Sequence, residues 1–283
     1  MFRQRTGSVV CASCGSLVGV NDDKCYTCGR RNPGLWGFGP VLRRFGNDMG
    51  FVSLVVSGSI VLYAATLLVT LARGESIMGG SIFGILGPSN STLFLFGASG
   101  ALPTFVYHRW WTVLSAGWLH AGALHILFNV MWIRQLGPAV ADLYGAARMI
   151  IIYTIAGVCG FLLSSVCGWY LMGLPLIGGG QFTIGASAPI FGLLGALVHY
   201  GARGGSSVVK SEALGYAVTL FVFGLIMPGV DNAAHAGGFA GGYLASLWLD
   251  PLKRERMDHF IGAAVCLLLT IAAIVWSVAS VLF

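Results

Sequence analysis

The chain has 283 residues, 56% of them apolar and only 9% charged, and its 16 basic and 10 acidic side chains leave a formal charge of +6. That balance excludes an ordinary soluble domain, in which about a quarter of residues are charged. The 42 glycines suit a helical membrane bundle instead, where small residues let helix backbones approach closely.

Residues 1–46 are polar, glycine-rich and basic. They lack the apolar core of a signal peptide, which predicts a cytoplasmic amino terminus. Within them Cys11-x-x-Cys14-Gly15 and Cys25-x-x-Cys28-Gly29 stand ten residues apart and offer four thiolates to one tetrahedral ion. Paired knuckles of this spacing predict a structural zinc ribbon over residues 1–32, followed by a linker over 33–50. About 30 residues hold too little core to fold unaided, so the metal would supply the folding free energy. Iron is the alternative ion. No open coordination position is evident, so the metal is expected to serve recognition or regulation through a cytoplasmic partner rather than catalysis. Cys159, Cys167 and Cys266 lie in apolar stretches and read as packing residues.

Apolar runs long enough to cross a bilayer, about 20 residues each, are expected near 51–72, 117–136, 147–172, 185–202, 212–228, 232–249 and 260–282. With the amino terminus inside, fourteen basic residues fall on the cytoplasmic side and only Arg73 and Arg109 outside. This is a positive-inside pattern, so the net charge is a topology signal and no nucleic-acid partner is needed. It predicts a multi-pass protein of a bacterial inner or plasma membrane with its carboxyl terminus outside. The stretch 73–116 contains apolar runs, Ser81–Gly87 and Thr92–Phe96, that are too short to cross. It reads as a long, partly interfacial loop with Trp110, Trp111 and Trp118 near the headgroup level.

Ionisable and polar groups within spans are costly and mark function by default. The second span carries His125 and Asn129 at i and i+4, with His120 just before them. The fourth opens Gly185-Ala-Ser187-Ala-Pro189, and the sixth carries Ala234-His235-Ala-Gly-Gly238-Phe-Ala-Gly-Gly242. These three spans run in the same direction, so all four polar residues fall in the outer half of the membrane at similar depth. A serine hydroxyl needs an adjacent base to become a nucleophile. His235 is the candidate base and later the acid towards the leaving amine. Asn129, His125 and the Ser187 amide are candidates to stabilise an oxyanion. Gly238-x-x-x-Gly242 would let the sixth helix approach the fourth. No carboxylate plainly orients His235, although Asp231 is near enough in sequence to approach it, so a dyad is expected. His120 reads as structural, and His199 lies at the inner end of the fourth span.

These motifs, His120-Ala-Gly-Ala-Leu-His125-Ile-Leu-Phe-Asn129, Gly185-Ala-Ser187-Ala and Ala234-His235-Ala-Gly-Gly238-Phe-Ala-Gly-Gly242, resemble those of the rhomboid family of intramembrane proteases over about residues 51–250. The resemblance implies an all-α membrane fold: a six-helix core over 51–250, plus a loop and an appended seventh helix over 251–283. It also implies a cavity open to the outside, a mobile gate near the fifth helix, and single-span membrane proteins as substrates. It assigns the dyad to Ser187 and His235, the oxyanion groups to His125 and Asn129, the support at the serine's turn to Gly185, and the ring packed on the base to Phe191. The alternative is a non-catalytic scaffold of the same fold that binds transmembrane helices. The chain departs from the family pattern at Ala188, at Phe191 in place of the usual Tyr, and at Arg109-Trp110-Trp111-Thr112, which puts the anchoring of the first loop in question. Gly97-Ala-Ser99-Gly100 matches the serine motif more literally but opens no spanning helix.

Overall fold

The computed structural model describes residues 3–12, 14–40, 46–77, 82–174 and 178–282. Arg43 and Arg44 of the charge pattern, Ser81 of the first loop and part of the 33–50 linker lie outside the described residues. A short antiparallel hairpin of β1 (Ser8–Val10) and β2 (Leu17–Gly19) comes first. The rest is helical: α1 (Phe51–Ala72), α2 (Asn90–Phe96), α3 (Thr112–Ser115), α4 (Ala123–Tyr144), α5 (Ala146–Tyr170), α6 (Ser187–Ala202), α7 (Ser207–Ile226), α8 (Asn232–Trp248) and α9 (Met257–Leu282).

By length and apolarity alone, α1, α5, α7 and α9 can each cross a membrane, and α4 joins them when taken with the bent segment that precedes it. The chain is an integral membrane protein. Of the longer helices, α6 and α8 fall below that threshold, and they pack closely against each other. α8 lies against both α5 and α6, and every residue of α6 from Ala188 to His199 is buried. α6, enclosed by protein, does not need the lipid-facing apolar length of an outer helix, whereas α8 keeps an exposed edge at Ala236, Ala240, Leu244, Leu247 and Trp248.

The second helix departs from the expected 117–136. Residues Thr112–Trp118 form a separate helical piece at 94° to α4, and the extended backbone at Gly122 starts α4 at Ala123. Pro138 sits within α4 and does not end it, as is common in membrane helices where neighbours satisfy the freed carbonyl. α7 begins at Ser207, five residues before the expected start, where the Ser206 hydroxyl accepts from the Val209 amide at 3.4 Å as an N-cap. α8 begins at Asn232, capped by Asp231, whose carboxylate accepts from the Ala234 amide at 2.9 Å.

The glycines of α8 explain its central place. A Cβ at Gly238 would lie 2.1 Å from the Ala188 carbonyl oxygen, and one at Gly242 would lie 2.1 Å from that of Gly192, both on α6. On the other face a Cβ at Gly237 would meet the Cys159 carbonyl at 2.8 Å, and one at Gly241 the Cys159 side chain at 2.6 Å, both on α5. Two glycine pairs, each spaced by four, therefore set α8 backbone-to-backbone against two neighbours.

The first loop is ordered rather than loose. Arg109 is buried, and its guanidinium donates to the Phe94 carbonyl at the end of α2 and, at 2.6 Å, to the Ser277 carbonyl of α9. Trp111 Nε1 donates to the Ser277 hydroxyl at 3.0 Å. The seventh helix thus supplies the anchoring that the sequence left in question. The Trp118 ring lies against Gly58 of α1, where a Cβ would be 2.8 Å away. At the opposite end of the bundle, the buried Arg148 donates to the carbonyls of Asp250 and Lys253, which ties the start of α5 to the loop before α9.

Candidate functional site

Ser187 is the first residue of α6. Its approach is held by pairing in the preceding segment, where Ser99 and Thr183 exchange backbone hydrogen bonds of 3.1 and 2.8 Å. The Gly185 amide donates to the Ala116 carbonyl at 3.0 Å. Ser99, the serine of the more literal motif, is therefore a buried strut for this turn. Gly185 has φ +121°, and a Cβ there would lie 2.7 Å from the His125 imidazole. Only glycine meets both the backbone and the space requirement.

Across the α6–α8 contact, His235 Nε2 lies 2.9 Å from Ser187 Oγ. The Phe191 ring, one helical turn after Ser187, stacks on the imidazole with centroids 4.2 Å apart and planes 14° from parallel. The other imidazole nitrogen, Nδ1, is 3.3 Å from Oδ1 of Asn232, a buried residue one turn earlier on α8. Asp231 faces elsewhere: besides capping α8, its carboxylate accepts from the Ser164 hydroxyl of α5.

His125 and Asn129 line the α4 side. The Ala121 amide donates to His125 Nδ1 at 3.2 Å. A neutral imidazole that accepts at Nδ1 carries its proton at Nε2, the atom that sits beside Gly185. Asn129 Nδ2 donates one hydrogen to the His125 carbonyl at 2.8 Å, and an amide nitrogen has a second to offer. At the first turn of α6 the amides of Ser187 and Ala188 have no acceptor within the helix, and the positive end of the helix dipole points there. Ser187 and His125 are half-buried while Asn129 and His235 are buried. A cavity of about 490 Å³, lined by Gln181, Phe182, Pro228, Asp231 and Asn232 among others, abuts the cluster through Asn232. His120 packs edge-on against His125 at 5.2 Å. His199, in the last turn of α6, is 3.2 Å from the Tyr144 hydroxyl and takes no part in the cluster.

A family model described as "Rhomboid domain" matches residues 107–252, just over half of the chain. The chain belongs to the rhomboid family. RHOMBOID-like protein 7 of Arabidopsis thaliana is 34% identical over 174 residues, covering 58% of this chain and 51% of that one. Rhomboid protease GluP of Bacillus subtilis (strain 168) is 31% identical over 186 residues, covering 64% of this chain and 34% of its own. Inactive RHOMBOID-like protein 8 of Arabidopsis thaliana is 29% identical over 214 residues, covering 70% and 58%. The matches thus span from about a third to somewhat over half the length of these relatives.

Outside the rhomboid match lies the cysteine cluster. Cys11, Cys14, Cys25 and Cys28 bring their Sγ atoms within 4.8 Å of one another, with Cys11–Cys28 at 3.7 Å and Cys14–Cys25 at 3.6 Å. Four thiolates at about 2.3 Å from one ion would stand about 3.8 Å apart, so the donor set fits a tetrahedral metal and is too open for disulfides. The two knuckles repeat each other. The Gly15 amide donates to the Cys11 carbonyl and the Gly29 amide to that of Cys25, at 3.1 and 2.8 Å. Burial works to raise the Cys14 thiol, but hydrogen bonds from the Ser16 side chain and backbone, and from Cys28 and Cys25, outweigh it and lower it to about 6. The cluster docks on the chain itself: Arg30 lies over the Phe260 ring at 4.7 Å and donates to Met257 Sδ, both at the start of α9. Arg254 donates to the Thr27 carbonyl at 3.2 Å.

Two residues of this region escaped sequence reasoning. Asn232 carries no charge to mark it in the sequence, although its i, i+3 spacing to His235 puts both on one helix face. Ser277 carried no signal, since a serine in a membrane helix usually bonds to its own backbone.

Proposed function

We propose that this chain is an intramembrane serine protease that cleaves single-span membrane proteins in or near their transmembrane segment. Ser187 is the nucleophile and His235 the general base, and the observation that carries this reading is the 2.9 Å contact between Oγ and Nε2. Oγ attacks the scissile carbonyl carbon while its proton passes to Nε2. The oxyanion that forms is met by His125 Nε2–H, Asn129 Nδ2–H and the Ser187 amide. The C–N bond then breaks, and the imidazolium gives its proton to the departing amine. Water, deprotonated by the same imidazole, hydrolyses the acyl-serine and restores the hydroxyl. Phe191 holds the ring plane, and Gly238 and Gly242 hold the distance between α6 and α8.

The relative named a protease supports this reading. The relative named inactive would favour a non-catalytic scaffold that binds transmembrane helices, which calls for loss of the nucleophile or base; both are present here. We further divide the chain into a cytoplasmic zinc ribbon (1–32), a linker (33–50), the six-helix core (51–250) and a loop with the seventh helix (251–283). The ion is taken as zinc because four thiolates in paired knuckles suit it, and it would hold the module's fold for recognition or regulation and take no part in catalysis. The asymmetry of basic residues supports an amino terminus inside and a carboxyl terminus outside.

The test compares wild type and Ser187→Ala in proteoliposomes against a panel of single-span membrane proteins. Cleavage by the wild type alone is expected, and cleavage that survives Ser187→Ala would overturn the mechanism.

A further inference from the structure

We infer that Asn232 is a positioning residue for the base: its amide oxygen holds the proton of His235 on Nδ1, so that Nε2 faces Ser187 as an acceptor. This rests on the Ser187–His235 reading above. A neutral imidazole has one N–H and one acceptor nitrogen. For Nε2 to take a proton from Ser187 Oγ at 2.9 Å, the ring's own proton must sit on Nδ1. A buried N–H without an acceptor is costly, and Asn232 Oδ1 stands 3.3 Å from Nδ1 with both residues buried. The distance is long for a resting hydrogen bond, in keeping with contacts that tighten as the substrate complex forms. The carboxylate that would otherwise be the natural orienting group, Asp231, is committed to the Ala234 amide and to Ser164. An amide in its place fixes the tautomer without adding a buried charge.

The amide is itself held from a second helix. Gly224 of α7 is one of the few buried residues of that helix. A Cβ there would lie 2.3 Å from Asn232 Oδ1 and 2.8 Å from Val230. The outer end of α7 therefore forms the wall against which the Asn232 side chain rests. A methyl group at 224 would push the amide off its line to Nδ1.

The test uses the full chain in detergent micelles and a fluorophosphonate probe, which reports the nucleophilicity of Ser187 without requiring a known substrate. Saturating rate constant, half-saturating concentration and labelled fraction are read separately. Loss of folded protein lowers the labelled fraction, whereas a misplaced base lowers the rate constant. Asn232→Ala is expected to lower the rate constant about tenfold, the scale of one net hydrogen bond, with the half-saturating concentration unchanged. Asn232→Asp keeps an acceptor at the same place and is expected to restore the rate to within about threefold of wild type, well under one hydrogen bond's worth. Gly224→Ala is expected to match Asn232→Ala, and the double variant to be no slower than either. A wild-type rate constant in Asn232→Ala overturns the inference, as does an Asn232→Asp variant as slow as Asn232→Ala. Should Asn232→Ala not fold, Gly224→Ala decides alone, and a wild-type rate constant there overturns the inference. If the wild type shows no labelling that depends on Ser187, the dyad itself falls and this inference with it. If labelling depends on Ser187 but not on Asn232, the dyad stands and only the positioning role is lost.

Discussion

The guanidinium of Arg109 donates to the carbonyl of Ser277, 168 residues later in the chain, at 2.6 Å. This bond joins the long first loop to the last helix, and Trp111 adds a second through the Ser277 hydroxyl. Arg109 uses a backbone carbonyl and Trp111 a side chain, so the two can be separated by mutation. Arg109→Ala removes two charge-assisted hydrogen bonds, and at roughly 1.5–3 kcal/mol each is expected to lower thermal stability in detergent by about 3 kcal/mol or more. Ser277→Ala leaves the carbonyl in place and is expected to cost about 1 kcal/mol. Equal losses from the two would show that the loop is not held through the Ser277 carbonyl.

The close approach of α6 and α8 predicts a sharp size limit. Gly238→Val places side-chain atoms where the Ala188 carbonyl lies 2.1 Å from a bare Cβ. The helices must part, and the expected outcome is loss of Ser187 labelling by more than about 100-fold, since misplacement of reacting groups by about 1 Å carries that penalty. Gly215→Ala on α7 is the control. Nothing lies within 4 Å of a Cβ there, and labelling should match wild type with stability unchanged or raised by up to about 1 kcal/mol.

Removal of the metal should affect the amino-terminal module before the bundle. Elemental analysis of the purified chain is expected to find one zinc per molecule, lost in Cys11→Ser with Cys28→Ser. The free module is then expected to be cut rapidly near its knuckles by trypsin, while the spanning helices remain intact. The sign of the pH effect follows from Cys14, lowered to about 6. The metal-binding thiolate is present above that value and is lost as pH falls through it. A bound ion competes with the protons, so zinc release is expected on acidification at a pH below that value, and release only on raising the pH would contradict the assignment.

Few contacts tie α7 to α4. Trp132 and Tyr216 meet edge to face at 5.4 Å, and Phe83 of the first loop bridges Phe128 and Phe223 at 6.0 and 6.1 Å. If substrates enter between these helices, Tyr216→Ala should speed cleavage of a single-span protein about 2- to 10-fold, the worth of one aromatic pair of roughly 0.5–1.5 kcal/mol. Labelling by the small fluorophosphonate should not change. An equal rise in both rates would place the effect on the chemistry rather than on entry.

The helical spans were legible because apolar runs and charge asymmetry report directly on membrane crossing. Ser187, His235, His125 and Asn129 stood out for the same reason: a polar side chain in a span is expensive. The 94° turn before α4 was not legible, since Thr112–Trp118 and Ala123–Tyr144 form one almost unbroken apolar stretch and only the backbone at Gly122 separates them. The burial of Arg109 was not legible, because charge alone does not reveal that two carbonyls from distant segments will surround it. The docking of Arg30 on Phe260 is of the same kind, a contact between chain ends that no local pattern encodes.

α8 carries His235 on a segment where Gly237, Gly238, Gly241 and Gly242 leave little but backbone. Each glycine weakens the intrinsic helical preference by about 0.8–1.0 kcal/mol relative to alanine, so this segment has little reason to become helical on its own. Its order is borrowed from α5 and α6. During synthesis α6 emerges before α8, and Ser187 waits beside an empty slot until the base-bearing strip of chain closes into it. On the proposed mechanism, a half-built copy would hold Ser187 without His235, and competence to cut would arrive only with the completed fold.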